Sequence, residues 1–243
     1  MNWNLKKNIK LSGVQILALG FVVIILVGTI LLTLPISTAS GESTSFLDAL
    51  FTATSAVCVT GLIVVDTGSY WNMFGQTIIM ILIEIGGLGF MSFTTLIAII
   101  LGKKITLRER LILQYAMNTF IIQGLVKMVK YVSVFTVSVQ FFGALLLSTQ
   151  FIPEFGFGKG AFYSLFHSIS AFCNAGFDVL GKGNSLISFN TNVVVIMVLS
   201  ILIIIGGLGF TVWSELYTCK SIRRVSIHSK MVLLITTGLV VGG

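Results

Sequence analysis

Apolar residues gather in four long runs, at about 13 to 34, 73 to 101, 128 to 151 and 191 to 213, separated by stretches where polar residues, Gly and charge return. A run of about 20 apolar residues spans the hydrocarbon core, and a backbone in lipid must satisfy its own hydrogen bonds, so each run predicts a transmembrane helix. Between them lies a second kind of pattern. Residues 45–57 (SFLDALFTATSAV) and 160–172 (GAFYSLFHSISAF) are amphipathic at helical spacing and too short to span, which predicts half-helices dipping in from one side. Each meets a small, poorly helical sequence, Cys58-Val59-Thr60-Gly61 or Cys173-Asn174-Ala175-Gly176. A fifth apolar run begins at Met231 and reaches Gly243 after 13 residues, too few to span, so the chain is expected to stop inside a helix as a truncated product or fragment.

The pattern occurs twice. LFTATSAVCVTG at 50–61 and LFHSISAFCNAG at 165–176 coincide at six of twelve positions, at an offset of 115. IGGLGF at 85–90 recurs unchanged at 205–210, and the two prolines, Pro35 and Pro153, each follow the outer end of a span. Landmarks in one order at nearly constant offset predict a duplicated unit. Residues 1–112 form the first helix, pore-loop and helix repeat, 113–225 the second, and 226–243 the incomplete start of a third.

Composition agrees with a membrane protein. Hydrophobic residues make up 56% and charged residues 9% of the 243, against roughly a quarter charged in soluble domains, which argues against soluble enzymes and nucleic-acid binders. The formal charge of +7 sits in short clusters between apolar runs, with no aromatic-interleaved basic face, so no nucleic-acid partner is implied. Those clusters set orientation, because Lys and Arg stay on the cytoplasmic side. Lys6, Lys7 and Lys10 precede the first run; Lys103, Lys104, Arg108, Arg110, Lys127 and Lys130 lie between the second and third; Lys220, Arg223, Arg224 and Lys230 follow the fourth. Residues 35–72 hold only Glu42, Asp48 and Asp66, and 152–190 balance Lys159 and Lys182 with Glu154 and Asp178. The expectation is a multi-pass protein of the cell membrane, in contact with lipid, its amino terminus cytoplasmic and both repeats parallel. Cys58, Cys173 and Cys219 offer neither a disulfide framework nor a CxxC pair.

Non-helical backbone at membrane depth is tolerated only where it is buried in protein or lines a water-filled cavity. A half-helix followed by an extended, Gly-containing strand points carbonyls at a dehydrated cation, while the helix carboxyl end adds negative potential. This span, half-helix, AVCVTGL or AFCNAGF strand and IGGLGF helix resembles the Trk/Ktr/HKT potassium transporter superfamily, and within it the KtrB-type membrane subunits, over essentially the whole chain. The resemblance implies an all-α membrane fold of four fused channel-like units, of which this chain has two and the start of a third. It implies potassium uptake through a carbonyl filter, with potassium as the transported ion and sodium as a candidate coupling ion. Gly61 and Gly176 match the retained filter glycines. The carbonyls of Val59, Thr60, Gly61 and Leu62, and of Asn174, Ala175, Gly176 and Phe177, would line the ion sites. In the family a Gly at the first filter goes with potassium preference and a Ser with sodium. The implied partners are the missing carboxy-terminal repeats or a second protomer in a homodimer, and a KtrA-like cytosolic nucleotide-binding ring docked on the basic clusters.

Each residue also has a plainer reading. Gly61 and Gly176 can be turn glycines, and the glycines of IGGLGF serve close helix packing. Glu84 is an intramembrane carboxylate, at a structural interface or a functional site, with Ile204 at its position in the second repeat. His167 has no metal-ligand company and is expected to make a helix-packing hydrogen bond. Asp66 and Asp178 either gather cations at an outer mouth or belong to ordinary loops. Cys58 and Cys173 are expected to pack as small buried residues behind the strands. Beside the conducting function stand a non-conducting partial subunit that acts by association, a pore of two such chains, and a membrane enzyme, for which no catalytic cluster is present.

Overall fold

The computed structural model describes residues 13–89, 92, 95, 125–181, 185–218 and 225–242. The clusters at Lys6 to Lys10, Lys103 to Arg110 and Lys220 to Arg224, with Cys219 and Lys182, lie outside the described residues. The described chain is an all-α membrane protein, with no strand beyond one isolated bridge between Thr38 and Trp71.

Helix α1 (Gly13–Thr33) covers the first apolar run, about 32 Å of helix. Thr29 and Thr33 donate their hydroxyls to the carbonyls of Ile25 (2.7 Å) and Thr29 (2.8 Å), so neither brings an unmet polar group into lipid. Pro35 then starts a 3-10 turn, Pro35–Ser37. The short helix α2 (Phe46–Val57) is capped by Ser45, whose oxygen accepts from the Asp48 amide, and the one-turn α3 (Thr67–Tyr70) is capped by Asp66. Asn72 begins α4 (Met73–Leu88): its Oδ1 accepts from the amides of Phe74 and Gly75, and its Nδ2 donates to the carbonyls of Ile36 and Thr38.

The next described helix, α5 (Leu125–Phe155), carries Pro153 inside its last turn rather than beyond a span's end as expected. Gly156 (φ +79) turns the chain directly into the second short helix, α6 (Phe157–Phe172). Asn192 caps α7 (Val193–Gly207) just as Asn72 caps α4, with its Oδ1 accepting from the amides of Val194 and Val195.

The fourth apolar run is not one helix. It breaks at Leu208-Gly209 and resumes as α8 (Phe210–Thr218) at 89° to α7. Gly209 sits at φ +83, and Gly89 of the other IGGLGF copy ends α4 at φ +77. Sequence hydropathy is blind to such a break, because a glycine in the left-handed region keeps the run apolar while ending the ladder. Trp213 bridges it, donating Nε1 to the Ile205 carbonyl at 2.8 Å and stacking on Phe135 of α5 at 4.7 Å between ring centres. The last described helix is α9 (Ile227–Gly242).

The core has two parts. One joins α1, α2 and α4 with Ala175, Phe177 and Val179, and the other joins α5, α6 and α7 around Leu147, Phe151, Phe172 and Leu199. The α1 residues Val23 and Ile30 face outward at 57% and 61% exposure, as lipid-facing positions do.

Candidate functional site

Both short helices end in the same turn. The amides of Cys58, Val59 and Thr60 donate to the carbonyls of Thr54 (2.8 Å), Ala56 (3.3 Å) and Ser55 (3.0 Å). Those of Cys173, Asn174 and Ala175 donate to Ile169 (2.9 Å), Ala171 (3.0 Å) and Ser170 (2.8 Å). This is a Schellman closure, whose left-handed position is normally Gly. Here it is filled by Val59 at φ +56 and Asn174 at φ +58. Asn tolerates that region, whereas a β-branched residue there is a true outlier. Two residues on, Gly61 and Gly176 take φ +72 and +73, so the backbone alternates in hand through both segments.

Carbonyl direction follows from the turn. A trans peptide holds its C=O opposite its N–H. Since the amides of Thr60 and Ala175 point into the helix ends, the carbonyls of Val59 and Asn174 point away from them. The Phe177 carbonyl accepts the Ser170 hydroxyl of α6 at 2.6 Å. In the first copy the equivalent Ser55 hydroxyl meets Thr60 Oγ1 at 2.9 Å.

The two segments lie side by side. A Cβ placed on Gly61 would collide with the Ala175 carbonyl, and one on Gly176 would stand 3.7 Å from the Gly61 Cα. Behind them, Gly86 and Gly206 bring α4 and α7 against the carbonyls of Val57 and Phe172, so close that no side chain fits. These IGGLGF glycines allow close packing, as read from the sequence, and a third glycine of each set ends a helix.

Cover alternates: Asn174 and Gly176 are exposed where Val59 and Gly61 are half-buried, and the order reverses at the positions between. Ala175 and Phe177 are buried at 1% and 2% exposure, while Thr60 and Leu62 are exposed. Cys58 is exposed and Cys173 half-buried, so the expectation of two buried thiols is corrected: α4 packs on Cys173 at Gly87, and Cys58 stays open. Glu84 lies where α4 meets α5 and the end of α6. Its Oε2 accepts from Gln140 Nε2 at 2.7 Å and from Cys173 Sγ at 3.6 Å. Sequence reasoning singled out Glu84 and missed Gln140, whose polarity within an apolar run was the available signal.

The other candidates are locally engaged. His167 is buried, pairs Nδ1 with the Tyr163 carbonyl at 2.7 Å and packs on the Phe151 ring. Asp66 Oδ1 accepts from the Ser69 amide and hydroxyl, both at 2.7 Å, and Asp178 accepts from the Leu180 amide and the Ser185 hydroxyl.

A family model described as TrkH, cation transport protein, matches residues 6–236. The chain is 51% identical over 241 residues to the potassium/sodium uptake protein NtpJ of Enterococcus hirae, covering 98% of this chain and 53% of that protein. It is 46% identical over 227 residues to the Ktr system potassium uptake protein B of Bacillus subtilis, covering 93% and 50%. To the protein of the same name from Vibrio alginolyticus it is 39% identical over 231 residues, covering 94% and 50%. These relatives are named as uptake proteins, not enzymes, and the chain spans about half of their length. On the match across nearly its whole length, this chain belongs to the TrkH family of cation transport proteins.

Proposed function

We propose that the chain supplies two neighbouring units of a potassium-conducting filter in the cell membrane, as part of a Ktr/Trk-type uptake protein. The reading divides it into repeats 1–112 and 113–225 and the start of a third at 226–243, with the amino terminus cytoplasmic and the half-helices entering from outside. The observation that carries it is the matched helix exit: positive φ at Val59 and Gly61 recurs at Asn174 and Gly176. Alternating hand along a strand turns successive carbonyls toward one side, where they replace the hydration shell of a cation. The carboxyl ends of α2 and α6 add negative potential at the same place. The carbonyls of Val59, Thr60, Gly61, Leu62, Asn174, Ala175, Gly176 and Phe177 are the ion ligands, that of Phe177 also accepting the Ser170 hydroxyl. Potassium is the transported ion and sodium the coupling ion. A KtrA-like cytosolic nucleotide-binding ring docks on the basic clusters of the cytoplasmic face.

A second reading is favoured by one observation. Leu62, Ile63 and Val64 are 61%, 50% and 50% exposed, so two units leave the first strand open along one side. A ring of carbonyls needs that side closed by further units or by a second protomer; the 243 residues alone then form a non-conducting partial subunit.

The test is potassium uptake in cells deficient in it, expressing either the 243 residues or the longest reading frame that contains them, each with and without Gly61→Ser. The proposal expects uptake from the longer product and a shift toward sodium with Gly61→Ser. Uptake whose ion preference ignores Gly61 overturns the filter. Gly61-dependent uptake by the 243 residues alone overturns the partial-subunit reading and leaves a pore of two copies.

A further inference from the structure

We propose that Glu84 is a positioning residue for the second filter strand, bracing from the first unit the helix end from which that strand leaves. This rests on the filter reading above. Three side chains from three elements meet: Glu84 on α4, Gln140 on α5 and Cys173 at the end of α6. Gln140 Nε2 donates to Glu84 Oε2 at 2.7 Å and approaches Cys173 Sγ at 3.9 Å; the thiol donates to the same carboxylate oxygen at 3.6 Å. Gly87 makes the seat, since a Cβ there would stand 2.5 Å from Cys173 Sγ. Ser168 Oγ donates to the Gln140 carbonyl at 2.7 Å, tying α5 to α6 one turn before the strand.

Cys173 is the capping residue of α6, and the next residue, Asn174, holds the left-handed turn that aims the strand. Displacing Cys173 therefore displaces the carbonyls that follow it. A carboxylate inside the membrane is retained only where partners take up its charge, and these two donors are its partners here. The brace is one-sided. Glu84 is replaced by Ile204 in the second unit, Gln140 by Ile25 in the first, and Cys58 is exposed. The strand of unit two is thus held by unit one through polar contacts that have no equivalent at the first strand among the described residues.

The experiment uses the longest reading frame, with Cys173 as its one cysteine. Two quantities are read: the ratio of potassium to sodium uptake, and the rate at which a membrane-permeant maleimide modifies Cys173. Glu84→Leu is expected to lower the ratio and raise the labelling rate, each by about fivefold, the worth of one net hydrogen bond, at unchanged abundance in the membrane. Glu84→Gln keeps an oxygen for Gln140 and is expected to stay within about twofold in both. The proposal is overturned if Glu84→Leu leaves both readings at the parent value, or if Glu84→Gln is as severe as Glu84→Leu. Should Glu84→Leu fail to accumulate, Gln140→Leu replaces it under the same criteria. Gly61→Ser runs in parallel: if it shifts ion preference and Glu84→Leu moves neither reading, the brace alone fails. If Gly61→Ser shifts nothing, the filter reading fails, and Cys173 labelling still decides whether the brace exists.

Discussion

The segments after α2 and α6 leave their helices through the same turn and then meet different surroundings. Residues 58–62 have an open flank, with Cys58, Thr60 and Leu62 exposed, whereas Ala175, Phe177 and Val179 are inserted into the core of the first unit. Their sequences differ accordingly. Asn174 fills the left-handed position with a residue that tolerates it and donates Nδ2 to the carbonyls of Phe172 and Ile203, both at 3.4 Å, while Val59 holds the same φ with a β-branched side chain. A conformation that Val would not choose persists because the Schellman amides and the packing of Val57 on Gly86 over-determine it. Local turn chemistry is thus common to both helix exits, and cover is supplied by the neighbouring elements.

The sharpest way to break this comparison is at the two glycines. Gly61→Ser drives a side chain into the Ala175 carbonyl, so it is expected to reduce potassium uptake by an order of magnitude or more. Gly176→Ser has 3.7 Å of room and bears mainly the left-handed penalty of about 1–2 kcal/mol. Equal loss from both in a rubidium flux assay would show that neighbour contact does not distinguish the strands.

Next come the buried glycines behind them. Gly86→Ala and Gly206→Ala each press a methyl on a backbone carbonyl, at an expected cost of about 3 kcal/mol in both units alike. Thermal unfolding in detergent measures it, and a large difference between the two would mean that the helix contacts are not equivalent.

Exchanging the turn residues should have opposite signs. Val59→Asn relieves left-handed strain and is expected to stabilise by about 1 kcal/mol, and Asn174→Val to destabilise by about as much. Denaturant titration of the two variants reads both, and a loss from Val59→Asn would assign the Val side chain a packing role that outweighs its strain.

The smallest effect concerns the broken run. Trp213→Phe removes the donor to the Ile205 carbonyl but keeps an aromatic ring against Phe135, at a cost of about 0.5 kcal/mol. No change in the same titration would mean that the 89° bend is held by packing alone.

Periodicity was a good guide where one element buries itself. The first run and both short helices were legible because hydropathy and spacing are local properties, and α1, α2 and α6 fall within a few residues of the expected bounds. Asn72 and Asn192 cap α4 and α7, a local signal that the hydropathy reading did not use. The break after Gly207 was not legible: IGGLGF reads as uninterrupted apolar helix, and whether its last glycine continues or ends the ladder depends on what packs there.

Sequence by itself determined that this chain is an all-α membrane protein, and that the stretches ending at Gly61 and Gly176 share six of twelve residues, because composition, hydropathy and spacing are carried by the residues themselves. Only the tertiary structure decided which of two matched cysteines is covered, that Gln140 and Cys173 converge on Glu84, and that the Phe177 carbonyl meets the Ser170 hydroxyl. Each of those depends on residues 7 to 89 positions apart being brought within about 4 Å, and the distance between elements is set by packing, which no local pattern encodes.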